Sequence, residues 1–231
     1  MADSEHAAIY HNPAGIANHT NHFTAATYYR QVPVEGFNTL GLFGTFKLKK
    51  ASIGLSVDSF GDKDYHENRI GIATAIKKDK VAMGLKFSYL NNAIAEVSSK
   101  QTILGEFGIL VDLTKKINLG MRVSNITRSK LYQGQEFPTL IALGIQYKLS
   151  PAIIINGQYD YLVAKNAVFK GGLSYRFNDF LRINTGISPY IKTIHFGLEA
   201  STKPWIFQIA AASSTRVGLS SQFTIIRHVG K

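Results

Sequence analysis

Residues 81–90 read VAMGLKFSYL. The odd positions Val81, Met83, Leu85, Phe87 and Tyr89 are large and apolar or aromatic; the even positions begin Ala82, Gly84, Lys86, Ser88. A period of two puts successive side chains on opposite faces of a strand. In a soluble sandwich the oily face meets a protein core. In a transmembrane barrel it meets lipid, and the polar face lines a lumen. The rest of the chain decides between them.

The pattern recurs along the sequence. Alternation predicts fourteen strands, near 20–31, 38–48, 51–60, 67–77, 80–90, 103–113, 117–126, 139–149, 152–161, 167–177, 180–188, 193–201, 204–212 and 216–227. Each is near the ~9–11 residues that a tilted strand needs to cross a bilayer. The faces persist: Ile53, Leu55 and Val57 oppose Ser52, Gly54 and Ser56, and Leu119, Met121 and Val123 oppose Asn118, Gly120 and Arg122. Connections alternate between tight turns such as KKDK (77–80) and FNDF (177–180) and longer loops such as NNAIAEVSSKQT (91–102) and ITRSKLYQGQEFP (126–138). Short turns on one rim and long loops on the other mark an up-and-down membrane barrel, and an even strand count puts both termini on the short-turn, periplasmic side. Aromatics gather near strand ends (Tyr89, Tyr147, Tyr159, Tyr161, Tyr175, Phe177, Phe180, Trp205, Phe207), as interfacial girdles require. A soluble sandwich also supplies many strands and turns, but fourteen meander strands would be long for one, and the loop asymmetry and aromatic placement count against it. The expectation is an all-β fold, a fourteen-stranded antiparallel up-and-down transmembrane β-barrel, with Val81 to Tyr89 facing lipid and Lys86 facing the lumen.

Composition agrees. The chain has 231 residues, 20 glycines, 14 phenylalanines, 11 tyrosines and no cysteine, so disulfides and thiol chemistry are excluded. No stretch approaches the ~18 uninterrupted apolar residues of a membrane helix. The start, MADSEHAAIY, has neither the basic end nor the apolar core of a secretory signal, so an exported form is expected to have lost its signal.

Just before the first strand stands AAIYHNPAGIAN, residues 7–18. An Asn-Pro-Ala-Gly-Leu/Ile-Ala element leading into a first barrel strand resembles the FadL/PorV-type outer-membrane proteins, which include the PorV/PorQ-like proteins of Bacteroidetes. The resemblance rests on Asn12, Pro13, Ala14 and Gly15 and on the strand layout. It implies fourteen strands, a bacterial outer-membrane location and a short N-terminal segment tucked into the barrel. Residues 1–19 are expected to form that segment, 20–227 the barrel and 228–231 a tail. The chain is short for the family, so fatty-acid transport is not carried over.

Alternation also assigns an inward charged set. Its acids are Asp58, Glu106, Asp112, Asp160 and Glu199; its bases are Lys47, Arg69, Lys86, Arg122, Lys148, Lys170, Arg176 and Arg182. Eight bases against five acids suggest weak anion preference. Inward apolar residues are few, among them Phe43, Leu104, Leu110, Ile154 and Ile206. Many inward glycines are expected to serve barrel curvature around a salt-bridged, water-filled lumen, the alternative being room for the N-terminal segment, a ligand or a partner.

The net charge is +11, and much of it falls on the short turns: Lys49, Lys50, Lys77, Lys78, Lys80, Lys115, Lys116, Lys148 and Lys203. A basic rim attracts anionic headgroups or an acidic partner. Outer-membrane lipids and other envelope proteins are the expected partners. Nucleic acid is not, because the charges form a ring of turns rather than a groove. Loop 126–138, with Arg128, Lys130, Tyr132 and Phe137, is a further contact candidate. No nucleophile motif appears, and the histidines His6, His11, His19 and His22 lack the carboxylates or thiols of a firm metal site, so no enzyme activity, metal or cofactor is expected. Together with the resemblance, these features suggest an accessory or scaffold barrel of an envelope complex, of the type IX secretion or surface-protein-assembly kind. The alternative is a passive channel or transporter for small molecules.

Overall fold

The computed structural model describes residues 6–34, 36–95, 98–132, 135–163 and 167–229. Fourteen antiparallel strands close a barrel. In chain order they are β1 (His22–Arg30), β2 (Asn38–Lys47), β3 (Ser52–Gly61), β4 (Tyr65–Lys78), β5 (Val81–Ile94), β6 (Ser98–Asp112) and β7 (Ile117–Ser124), then β10 (Leu140–Lys148), β11 (Ile153–Leu162), β12 (Ala167–Arg176), β13 (Leu181–Ser188), β14 (Thr193–Thr202), β15 (Trp205–Ser214) and β16 (Gly218–Val229). Between β7 and β10, β8 (Lys130–Tyr132) and β9 (Gln135–Glu136) form a separate two-stranded ribbon in the 126–138 loop. Each barrel strand pairs with its neighbour in sequence, and β1 closes on β16 from His22↔Val229 to Arg30↔Ser221. Closure leaves no strand edge, so every ladder has a partner where no water is available to replace one.

The alternation sets the faces as expected. On β5 the even residues are buried and the odd residues exposed through most of the strand. Outward Ile72, Phe169 and Ile194 are 57%, 59% and 64% exposed, while inward Lys86 is 2% exposed. Oily outside and polar inside is the reverse of a soluble protein, and only a lipid surround makes it stable. The aromatics named above point outward in two belts. Tyr159 and Tyr161 lie towards the long-loop rim; Tyr147, Tyr175 and Trp205 lie towards the short-turn rim, where the Arg227 guanidinium sits 5.4 Å from the centre of the Trp205 ring.

The short turns share a device that alternation does not reveal. The side chains of Thr114, Ser150 and Asn178 each accept two backbone N–H bonds, from the residues two and three positions later. Such side chains imitate a turn carbonyl and stop the strand where the apolar belt ends.

Three boundaries differ from expectation. Loop 91–102 is largely a hairpin, because β5 and β6 stay paired out to Ile94↔Ser98. Likewise β3 and β4 pair out to Gly61↔His66, shortening the 60–68 loop. Backbone pairing continues past the belt, where alternation is no longer enforced and so gives no signal. At the far end β16 runs through Val229, so His228 belongs to the wall rather than to a tail. Residues 1–5, 230 and 231 of the expected terminal segments lie outside the described residues.

Outward Ile72 provides a direct check on the surround. Ile72→Arg should lower stability by about 2–4 kcal/mol in lipid vesicles, the cost of arginine on a lipid face near the midplane. Urea titration of the folded and unfolded populations measures it. A water-facing position would show almost no change.

Candidate functional site: the barrel lumen

The lumen is divided between a docked segment and open space. The segment begins with a helical turn, Ala8–His11, and continues as a 3-10 turn, Pro13–Asn18. Asn12 joins them in extended conformation, and Pro13, with its fixed φ, opens the second turn. The Asn12 side chain accepts the Ala14 N–H at 3.1 Å, and its amide donates to the carbonyls of Ile109 on β6 and Met121 on β7, each at 3.2 Å. One side chain thus caps the turn and fastens it to the wall.

The wall is shaped to receive it. A Cβ on Gly84 would lie 2.5 Å from Pro13 carbonyl carbon and Ala14 nitrogen, and one on Gly108 would overlap the Asn12 side-chain oxygen. Backbone cannot yield at Gly84, and the Asn12 side chain facing Gly108 is held by its hydrogen bonds, so these glycines provide clearance rather than curvature. Curvature was the expectation; the alternative of room for the N-terminal segment holds here. Ile9, Ile16 and Ala14 of the segment are fully buried in one apolar cluster with Phe23, Phe43 and Leu110.

Several inward charges hold this segment. Lys86 Nζ donates to the Ile9 carbonyl at 3.1 Å and lies 5.0 Å from the centre of the Tyr10 ring. Arg122 donates to the Tyr10 carbonyl at 2.6 Å and lies 3.6 Å from Glu106. Lys47 donates to the Ala17 carbonyl at 3.0 Å, and the Tyr10 hydroxyl donates to Asp58 at 2.7 Å. A carbonyl satisfies an ammonium or guanidinium group without adding a countercharge. This explains part of the inward surplus of bases.

The remaining inward charges pair across the wall. Lys170 meets Asp160 at 2.7 Å, and Arg182 meets Glu199 at 3.3 Å. Arg69 meets Glu67, two residues before it on β4, at 3.1 Å. Asp112 sits at the short-turn rim rather than mid-lumen and pairs with Lys77 at 2.6 Å, while Lys77 also reaches the Asn18 side chain at 2.8 Å. Arg176 is exposed at that rim beside Arg182. Lys49, Lys50, Lys78, Lys80, Lys115, Lys116 and Lys203 are exposed as expected. In loop 126–138, Arg128 and Lys130 are exposed, and the Tyr132 side chain lies outside the described ones.

The opposite side of the lumen, along β11–β16, holds three cavities. One of about 500 Å³ opens at the long-loop rim, between Tyr29, Gln31, Ile191 and Arg216. A middle one of about 460 Å³ lies beside Ala7, Ala8 and His11 of the segment. A third, of about 220 Å³, lies at the short-turn rim beside Arg176, Asp179 and Arg182. The first two share His195, Phe196, Ala210 and Gln222 in their walls; the second and third share Glu199. Side-chain amides dominate the polar lining of the middle cavity: Asn156, Gln158, Asn184, Gln208 and Gln222. A ladder from Asn118 through Gln146 to Asn156, with steps of 3.1 and 3.2 Å, orders the amides at its edge. A reading focused on charge passed over these uncharged residues, although each stands at an inward position of the alternation.

No protein-family model and no curated protein matches the chain. Solved structures do resemble it. The "CymD monoaromatic hydrocarbon channel" superposes with a TM-score of 0.74 at 11% identity, covering 98% of this chain and 94% of that one. The Pseudomonas putida toluene transporter TodX gives 0.74 at 11%, covering 96% and 92%. The "KdgM porin" gives 0.53 at 10%, covering 90% and 99%. At such identities the likeness is one of fold.

Two outcomes follow for the docked segment. Asn12→Ala removes the fastening and leaves strand carbonyls without its amide, a loss of about 1–3 kcal/mol. Amide hydrogen exchange over residues 8–18 should then rise while the strands stay protected; unchanged exchange would deny Asn12 its role. The second outcome concerns His6, which stacks on His19 at 5.6 Å and approaches His228 with ring nitrogens 3.3 Å apart. Burial first, then His228 and Arg182, push its imidazole down to about 4 from the usual 6.5. Because docking favours the neutral ring, its contribution is complete above pH 6.5 and is lost as pH falls towards 4. Exchange at residues 8–18 should therefore increase across that interval, and should do so less in His6→Phe.

Proposed function

We propose that this protein is a passive, non-enzymatic outer-membrane channel for small molecules. One observation carries the reading: beside the docked segment, cavities that share wall residues succeed one another from the long-loop rim to the short-turn rim. A barrel of this strand number lies between those filled by side chains and open porins. The names of the structural neighbours, hydrocarbon channels and a porin, support the same class. The outward apolar belt and its aromatic girdles favour an outer-membrane setting.

The accessory or scaffold role in secretion or surface-protein assembly, expected from the resemblance at residues 7–18, has the exposed basic rim as its support. That rim serves equally well to hold anionic headgroups. The channel reading accounts for the lumen as well.

Purified protein incorporated into planar bilayers tests it. Discrete, voltage-tolerant conductance steps are expected at neutral pH. Silent bilayers, with folded protein verified by its heat-modifiable mobility, would overturn the channel and return the weight to the accessory role.

A further inference from the structure

We propose that the solutes taken are small, uncharged and polar, of the sugar or polyol class, and that they pass along the β11–β16 wall. This inference rests on the channel reading and adds the route and the chemistry of the cargo.

The route follows from how the lumen is shared. The β3–β6 side receives the docked segment, whose Ile9, Ala14 and Ile16 are fully buried and whose backbone meets Gly84 without clearance. The three cavities, successive ones sharing wall residues, lie on the other side. Their junctions name the residues that a solute passes. Ala210 and Gln222 stand between the long-loop and middle cavities. Glu199 stands between the middle and short-turn cavities, held by Arg182 at 3.3 Å and by the Gln208 amide at 2.8 Å. The wall is built of small residues there: Gly186, Gly197, Ala210 and Ala212 leave the space that larger side chains would fill.

The cargo class follows from the lining. Asn156, Gln158, Asn184, Gln208, Gln222 and Thr224 each carry hydrogen-bond donors and acceptors without net charge. Hydroxyl-rich solutes exchange water for these partners at little cost. A hydrocarbon would strip the amides of water and give nothing back. Leu198, Ile209 and Phe196 border the cavity by their backbone, while their side chains point outward and are 38%, 56% and 50% exposed. These large apolar side chains are therefore turned away from the middle cavity, whose carbon surface comes from glycine, alanine and the amide stems. Ions gain little either. Lys47, Lys86 and Arg122, counted as lumen cations in the sequence, are bound to segment carbonyls on the far side, and the one carboxylate of the middle cavity is paired. The count of bases therefore overstates the anion preference, which is left to Arg176 and Arg182 at the short-turn cavity.

The absence of cysteine makes the test clean, because a single introduced thiol is the only one. The Ala210→Cys and Ser220→Cys variants are reconstituted into liposomes, and glucose entry is followed by swelling before and after reaction with a bulky, water-soluble methanethiosulfonate. Ser56→Cys, placed on β3 beneath the segment, is the control. We expect modification at 210 or 220 to cut glucose entry by about tenfold, equivalent to an added barrier of ~1.4 kcal/mol. Swelling through Ser56→Cys should be untouched by the reagent. Glucose entry that survives verified modification at both positions would overturn the route while leaving the channel intact. Protein-dependent entry of gluconate or glucosamine, charged solutes of similar size, exceeding that of glucose would overturn the cargo class. If the parent passes no solute of any kind, the channel reading itself fails, and with it this inference.

Discussion

Everything in this molecule depends on one constraint: a strand in lipid has no water to satisfy its backbone, so every ladder must close on another. Closure through the β1–β16 seam meets that demand and fixes two faces for every strand. Lipid selects the outer face and leaves the inner one unconstrained. The inner face can then carry what a soluble core would reject, including buried Lys86, paired Arg182 and rows of amides.

The inner face is used asymmetrically. Along β2–β7 it provides glycine clearance, small apolar residues and cations that meet backbone carbonyls, and the N-terminal segment lies against it. Along β11–β16 it provides glycine, alanine and amides, and space remains. Glycine thus does two jobs in one barrel. Gly84 admits a backbone, Gly108 admits the Asn12 side chain, and Gly186 and Gly197 widen a cavity. Asn12 is central to the first half, since its single amide group spans a turn and two strands. It also stands in the Asn-Pro-Ala-Gly stretch just before the first strand, which gives that stretch a physical reason to precede a barrel strand.

Most of the fold was legible because lipid enforces alternation residue by residue. All fourteen wall strands stand where the period of two puts them, and Val81 to Tyr89 face outward as read. Legibility fails where lipid does not reach. The paired extension to Ile94 and Ser98 carries no oily outward face, since Asn91 and Ala93 follow Tyr89 there, and β8 and β9, of three and two residues, are too short to show a period. The lumen was half legible. Alternation gave which charges point inward, but not which of them meet carbonyls of a distant segment: Lys86 and Ile9 are joined only by closure of the barrel. Glycine was ambiguous for the same reason, as a missing side chain does not say what fills its place. The amides of the middle cavity were visible as residues and overlooked as chemistry, because charge drew the reading towards Lys170 and Arg182.

One side of the lumen is filled by the segment, the other is wet, and the outside is lipid. Nitroxides attached singly at Ser88 and Phe87 on β5, and at His195 and Phe196 on β14, test all three parts at once through collisions with oxygen and with a water-soluble nickel complex. The account predicts nickel access at 195, oxygen access at 87 and 196, and shielding from both at 88. Nickel access at 88 equal to that at 195 would contradict a sealed half, and nickel access at 87 and 196 would contradict the membrane barrel itself.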